Sequence, residues 1–308
     1  VVQGIIDKIA SIGILSDSCE ITLEANPTSF ETDKFKQFKS AGINRVSLGI
    51  QSFDEKDLSV LGRKHSSSEA INAIESASKI FSRYSFDLIY ARPDQTLEKW
   101  QEELKFALTL AGDHISLYQL TIKKGTPFFN LFRYNKLSLP ADDLAATLYE
   151  WTSSYLKEHD YNRYEISNYA KNGEECIHNL CYWNYNEYIG IGPGAHSRLH
   201  ERPGVLAVMM YHKPDKWLNS VELQGHGIQN NVRLSNSEVA EELIMMGTRL
   251  STGVKEESLM QLTRLKFTDV FNYDIINDYV KKQLINISNN RLRLTEHGLL
   301  LHNYLIPR

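Results

Sequence analysis

Cysteine is scarce in this chain. Cys19, Cys176 and Cys181 are the three among 308 residues, too few and too scattered for a disulfide framework, and such scarcity suits a reducing, cytoplasmic setting. No apolar run approaches the length needed to cross a bilayer, so a spanning helix is not expected, although peripheral contact with a membrane stays open. The formal charge of -4 argues against a general nucleic-acid binder. No internal repeat or low-complexity tract is evident. The start Val1-Val2-Gln3-Gly4 carries no basic segment followed by an apolar stretch and no initiator Met, and the expectation is a chain whose beginning is missing.

What is present is an ordinary globular composition, 42% hydrophobic and 23% charged, at a length that predicts one large α/β domain with an appendage or two domains. Between Ser18 and Ile166, short β-branched runs alternate with longer amphipathic ones, the signature of βα units and a parallel sheet. Strands are expected at Glu20–Ala25, Arg45–Ile50, Phe86–Tyr90, His114–Thr121 and Tyr164–Ser167. Helices are expected at Glu31–Ala41, Ser67–Ser82, Leu97–Leu110 and Ala141–His159, with Gly42 as a C-cap and Thr32-Asp33 and Ser68-Glu69 as helix starts. Tyr149, Trp151, Tyr155 and Tyr161 fall partly on one helix face and read as packing.

Polar residues recur at or near the strand ends: Glu24, Gln51, Tyr118 with Gln119, Glu165, and Asp87 early in its strand. In barrel-type α/β folds the C-terminal strand ends form the ligand face. Any one of these residues is as readily a strand cap; together they favour a site.

After about Arg202 the rhythm changes. Helices are expected at Ser237–Leu250, closed by Ser251-Thr252-Gly253, then at Glu256–Leu265 and Val270–Gln283. A hairpin turning at Asn289-Asn290 and a helix beginning near Thr295-Glu296 follow. Helices with a β-hairpin suggest a winged type of domain, and its modest basic content points to packing or partner contact rather than DNA. The expected domains are 1–200 and 201–308.

The densest segment is Glu175–Ser197, ECIHNLCYWNYNEYIGIGPGAHS. Imidazole can ligate a metal, flat rings can stack on a flat ligand, and glycines allow close backbone approach. The apolar run Tyr188–Ile191 reads as strand-like and leads into Gly190, Gly192 and Gly194. Pro193 rules out a Rossmann turn, and the loop reads as a wall of a nucleoside pocket or as a plain strand end. Cys176, His178 and Cys181 have a zinc-like spacing without an obvious fourth ligand, so no metal site is expected from them.

ITLEANP (Ile21–Pro27), GINRVSLGIQSF (Gly42–Phe53), LGRKH (Leu61–His65), DLIYARPDQT (Asp87–Thr96), SLYQLTI (Ser116–Ile122), HNLCYW (His178–Trp183) and YIGIGPGAHS (Tyr188–Ser197) occur together in one order. This set resembles the radical S-adenosylmethionine (SAM) family of oxygen-independent coproporphyrinogen III oxidase relatives over nearly the whole chain. The resemblance implies an α/β fold: a partial (βα) barrel lacking its first strand or strands, then a small helical, winged-type C-terminal domain. It implies SAM contacts at Glu24, Gln51, Arg63 and Asp87. The His-Asn-x-x-Tyr-Trp motif points to the heme-chaperone branch, with heme as ligand near His178, Asn179, Tyr182 and Trp183 and acceptor haemoproteins as partners. The oxidase, which decarboxylates the propionates of coproporphyrinogen, and an inactive remnant are the alternatives. Cys176 and Cys181 compete with His178 as axial ligand.

One departure is plain. Family members hold a [4Fe-4S] cluster on a Cys-x-x-x-Cys-x-x-Cys loop, and no such spacing occurs here. The resemblance places Val1 in the helix that follows the missing Gly-Gly-rich segment. The chain as it stands is therefore not expected to build the cluster or perform radical cleavage.

Overall fold

The computed structural model describes residues 1–13, 15–27, 32–134, 136–201 and 204–306. The chain divides into two compact units: Val1–Arg163 with Ser167–Glu175, and Tyr164–Ile166 with Cys176–Arg308. The boundary expected at 200/201 falls inside the second unit. No helix among the described residues is long and apolar enough to cross a membrane.

The first unit runs α1 (Val2–Ile12), β1 (Thr22–Ala25), α2 (Thr32–Ser40), β2 (Arg45–Gln51), α3 (Glu55–Val60), α4 (Ser67–Ile80) and β3 (Arg83–Tyr90). It continues with α5 (Leu97–Leu110), β4 (His114–Gln119), α6 (Pro127–Arg133), α7 (Asp142–Glu158), β5 (Asn162–Glu165, of which Tyr164 and Glu165 are counted with the second unit) and β6 (Asn168–Ala170). The open six-stranded sheet has the order β1-β2-β3-β4-β6-β5; the first four strands pair in parallel and β6 lies antiparallel to β4. This is a partial βα barrel. Residues alternate faces along a strand. Val46, Leu48, Ile50, Phe86 and Leu88 are fully buried on the face covered by helices such as α4. Arg45, Ser47, Gly49 and Gln51, with Arg83, Ser85 and Asp87, form the opposite face, and polar side chains there leave room for a ligand or for one another.

Helix starts follow local chemistry. Ser66 caps α4 in a reciprocal box with Glu69, two residues before the expected Ser68. The expected start of α2 at Glu31 lies outside the described residues. β3 begins at Arg83 rather than Phe86, so Asp87 sits in mid-strand, because Tyr84 and Ser85 extend the alternation.

The second unit comprises α8 (Ile177–Trp183), β7 (His196–His200), β8 (Val205–Met210), α9 (Pro214–Gln224), β9 (Ile228–Leu234), α10 (Asn236–Gly247), β10 (Val254–Lys255) and α11 (Glu256–Thr263). Then follow α12 (Phe267–Val270), α13 (Tyr273–Lys281), β11 (Ile285–Ser288), β12 (Arg291–Leu294), α14 (Glu296–Leu300) and α15 (His302–Leu305). Val239, Leu243, Val254, Leu259, Leu262 and Phe267 build one core, and Leu284, Ile285, Leu294, Leu299 and Leu305 another. The hairpin β11–β12 turns at Asn289 and Asn290, both left-handed with φ of 52° and 55°, and β10 adds a third strand.

Three readings need correction here. The antiparallel sheet β7-β8-β9 was not expected, because β9 is a mostly exposed, polar edge strand that lacks a one-sided apolar pattern. Tyr188–Ile191 is no strand: Tyr188 makes an isolated bridge with Arg198, and Ile189 and Ile191 face solvent. Helix α10 stops at Gly247, where Thr248 takes the C-cap and turns its hydroxyl back to the Ile244 carbonyl; it does not reach Leu250.

Candidate functional site

A cavity of about 790 Å³ opens beside the strand tips of the first unit, lined by Glu24, Asn26, Ser47, Gly49, Gln51 and Asp87, with Lys34, Phe35 and Phe38 from α2. Parallel pairing brings the polar residues into register, with Glu24 opposite Ser47 and Asp87 opposite Ser116. Gln51 ends β2 in the left-handed region, with φ of 75° and its side chain buried, just after a register shift. For a non-glycine residue that conformation is costly and is held by its surroundings. Gly49 fits because a Cβ there would press on Gln51 Nε2 and Asn26 Oδ1 at 3.3 and 3.4 Å. Of the residues implied to hold SAM, Glu24, Gln51 and Asp87 share this cavity. Arg63 reaches it indirectly, donating to Asn26 Oδ1 at 3.3 Å.

Below the rim the inner face is a polar ladder. Arg45 donates to the Ser85 hydroxyl (2.9 Å), Ser85 to Ser47 (3.0 Å), and Ser47 to Asp87 (3.5 Å). Glu20 pairs with Arg83 at 2.5 Å and with Arg45 at 3.9 Å, closing the lower end with ion pairs. Asp87 is pushed up to about 6, first by burial; the Ser116 and Ser47 hydroxyls and the Arg45 charge pull against this while Glu24 adds to it. Carboxylates and amides around a cavity with aromatic walls suit the hydroxyls, amino group and flat base of a nucleoside-bearing ligand. Sequence reading missed Asn26, Ser47 and Ser116, although the alternation in Arg-Val-Ser-Leu-Gly-Ile-Gln carried the signal.

The second unit holds the other implied residues on α8, where the i,i+4 spacing splits them into two pairs. His178, exposed, meets the Tyr182 ring edge-on with centroids 4.7 Å apart, and Tyr182 meets Tyr188 at 4.4 Å. Asn179 instead donates to the Tyr164 hydroxyl at 3.1 Å. Trp183 lies under the Arg249 guanidinium, 4.4 Å from its ring centroid. The geometry thus brings His178 and Tyr182 together on the outer side and turns Asn179 and Trp183 to other partners.

Cys176 is buried, and the Cys181 thiol, raised by its burial, contacts the Glu187 carbonyl at 3.5 Å. Burial thus works against a thiolate at Cys181. Gly190, Gly192 and Gly194 belong to this unit; a Cβ on Gly190 would collide with the His196 carbonyl, and the Gly190 amide donates to the Ser197 hydroxyl. Among the described residues, no group of three or more His, Cys, Asp or Glu is arranged to hold a metal ion. The donors present do not fit a [4Fe-4S] cluster.

Residues 4–107 match the Radical SAM superfamily model and residues 234–301 the HemN C-terminal domain. Radical S-adenosyl methionine domain-containing protein 1, mitochondrial, from Mus musculus is 36% identical over 315 residues, covering 99% of this chain and 71% of the relative. This chain belongs to the HemN/HemW-like radical SAM family. Heme chaperone HemW of Bacillus subtilis is 32% identical over 289 residues (94% of this chain, 75% of the relative). HemW of Haemophilus influenzae is 36% identical over 292 residues (94% and 73%). The structure of coproporphyrinogen III oxidase (HemN) from Escherichia coli, described as a radical SAM enzyme, superposes with a TM-score of 0.79 at 18% identity, covering 99% of this chain and 74% of that one. The radical SAM family fold, a partial α/β barrel with a HemN-type C-terminal domain, is therefore established.

Proposed function

We propose that this member of the HemN/HemW-like family handles heme: it binds heme at His178 and Tyr182 and passes it to acceptor haemoproteins, and it takes SAM in the strand-tip cavity. The observation that carries the reading is the ring row on α8. An exposed imidazole stands edge-on to Tyr182, which in turn meets Tyr188, and Ile177, Ile189 and Ile191 remain in solvent along the same stretch of chain. An accessible imidazole beside aromatic and apolar side chains is the chemistry that iron porphyrin needs: one nitrogen for the metal and a flat apolar bed for the macrocycle. The heme chaperones among the relatives support the same choice.

SAM, in the family, supplies its chemistry beside an iron-sulfur cluster. Since the donors here do not fit that cluster, no radical step is assigned to these residues. Glu24 and Asp87 would hold hydroxyl or amino groups, Gln51 would present its amide, and Phe35 and Phe38 would cover an apolar flank.

Titration with hemin tests the reading. The parent chain should show a Soret band characteristic of imidazole ligation, and His178→Ala should lose it or weaken binding by about tenfold or more. Unchanged binding by His178→Ala would remove the assignment. Calorimetry with SAM should show weaker binding by Glu24→Gln and Gln51→Ala. A full-length, cluster-loaded version of the protein incubated anaerobically with SAM and coproporphyrinogen should yield no decarboxylated product, and its appearance would favour the oxidase.

A further inference from the structure

We infer that the His-Asn-x-x-Tyr-Trp motif divides its labour: Asn179 and Trp183 pin α8 in place through Tyr164, Glu165 and Arg249, so that His178 and Tyr182 are presented in a fixed geometry. Arg249 is thus a positioning residue for the heme site, and the inference rests on the heme reading above.

Helix α8 has little of its own to hold it. It is seven residues long, lacks a side-chain N-cap bond and buries none of its residues fully, and so short a helix is unstable in isolation because nucleation is unfavourable. The pins lie on one side. Asn179 Nδ2 donates to the Tyr164 hydroxyl, and burial keeps that phenol protonated. One turn later the Trp183 indole lies under the Arg249 guanidinium. Arg249 directs both Nε (3.2 Å) and Nη2 (3.0 Å) to Glu165 Oε2, and the Glu165 side chain is fully buried.

The anchoring strip is itself fixed by backbone. Glu165 bridges Leu250, and the Ser251 amide donates to the Tyr164 carbonyl at 3.0 Å. The guanidinium therefore joins a buried carboxylate on one side and an aromatic face on the other, an arrangement that lysine cannot reproduce because it lacks the planar fork. Asn179 and Trp183 are engaged on one side of the helix, and His178 and Tyr182 hold their edge-on ring contact on the other, where His178 is exposed. A shift of α8 by a fraction of a turn would move the imidazole nitrogen away from an iron axis, and outer partners that orient a ligating histidine are typically felt as a 10- to 100-fold change in affinity.

The test uses the full chain and hemin, with Trp183→Ala, Trp183→Phe, His178→Ala and the charge-neutral double variant Glu165→Gln/Arg249→Gln. The double variant avoids stranding a single buried charge, so loss of folding does not mask the effect; far-UV circular dichroism checks this. Trp183→Ala and the double variant should bind hemin about tenfold more weakly with a shifted Soret band, and the amides of Ile177–Trp183 should exchange faster even without hemin. Trp183→Phe, which keeps a ring under the guanidinium, should restore both readouts. Parent-like affinity, band position and amide exchange in Trp183→Ala would overturn the inference. So would a Trp183→Phe as impaired as Trp183→Ala, since the indole itself would then be the porphyrin contact. If His178→Ala binds hemin as the parent does, the heme reading fails and takes the inference with it; if His178→Ala loses binding while Trp183→Ala does not, the inference alone fails.

Discussion

Arg92 Nη1 donates to Glu103 Oε1 at 3.1 Å, and the same carboxylate oxygen receives the Ser52 hydroxyl (2.7 Å) and the Phe53 amide (2.9 Å). One side chain from α5 therefore holds the exits of β2 and β3 together, directly after the strained Gln51. Glu103→Ala should lower stability by about 3 kcal/mol, because it strands a buried guanidinium whose remaining acidic partner among the described residues is Asp57, at 3.0 Å. Urea denaturation measures the loss, and a change under about 1 kcal/mol would show that the carboxylate is no clamp.

Asp87 gives the first unit a pH dependence of definite sign. Its carboxyl titrates near 3.8 when unperturbed and at about 6 in the fold, so between those values the folded chain retains a proton that the unfolded chain has released. Its contribution is present below about pH 4 and is lost as pH rises through 6. Asp87→Asn should therefore gain on the parent across that window by about 1–2 kcal/mol, allowing for solvent at the cavity wall. Parallel stability curves for the two proteins from pH 4 to 7 would refute this.

The β11–β12 turn places two successive asparagines in the left-handed region, which is what a tight two-residue hairpin demands. Asn289→Val should destabilise the second unit by about 1–2 kcal/mol, whereas Asn290→Gly should be neutral or slightly stabilising. Thermal melts followed by near-UV circular dichroism distinguish the two. Equal losses would mean that the turn is not set by backbone conformation.

Gly190→Ala places a methyl group on the His196 carbonyl. Since the collision is with backbone, relief requires the loop to move, and the cost should be about 1–3 kcal/mol. The Gly190 amide bond to Ser197 should open as well. Amide exchange at Gly190 reads this directly, and protection equal to that of the parent would contradict it.

How much could be read from the residues varied with how local the cause was. Helix α5 matches its expected span because a Thr96 cap and a clean apolar stripe mark it, and the Asn-Asn turn announces itself. The parallel strands are legible because both faces are informative: apolar toward the helices, polar toward the cavity. The gathering of Glu24, Gln51 and Asp87 follows from that alternation, although the step through Asn26 to Arg63 does not. The β7-β8-β9 sheet escaped notice because its outer strand carries Asn230, Asn231 and Arg233 in place of an apolar alternation. Helix α8 escaped because it is short, lacks a side-chain N-cap bond and finds its partners in Tyr164 and Arg249, residues distant in sequence.

The inner face of the parallel sheet sorts its polar groups by height: Glu24 and Asp87 with Lys34 around the cavity, hydroxyls midway, and the ion pairs of Glu20 with Arg45 and Arg83 at the floor. Because the floor guanidinium groups are already matched to Glu20, the depth of the groove is closed by its own side chains, and any guest is confined to the level of Glu24, Ser47 and Asp87.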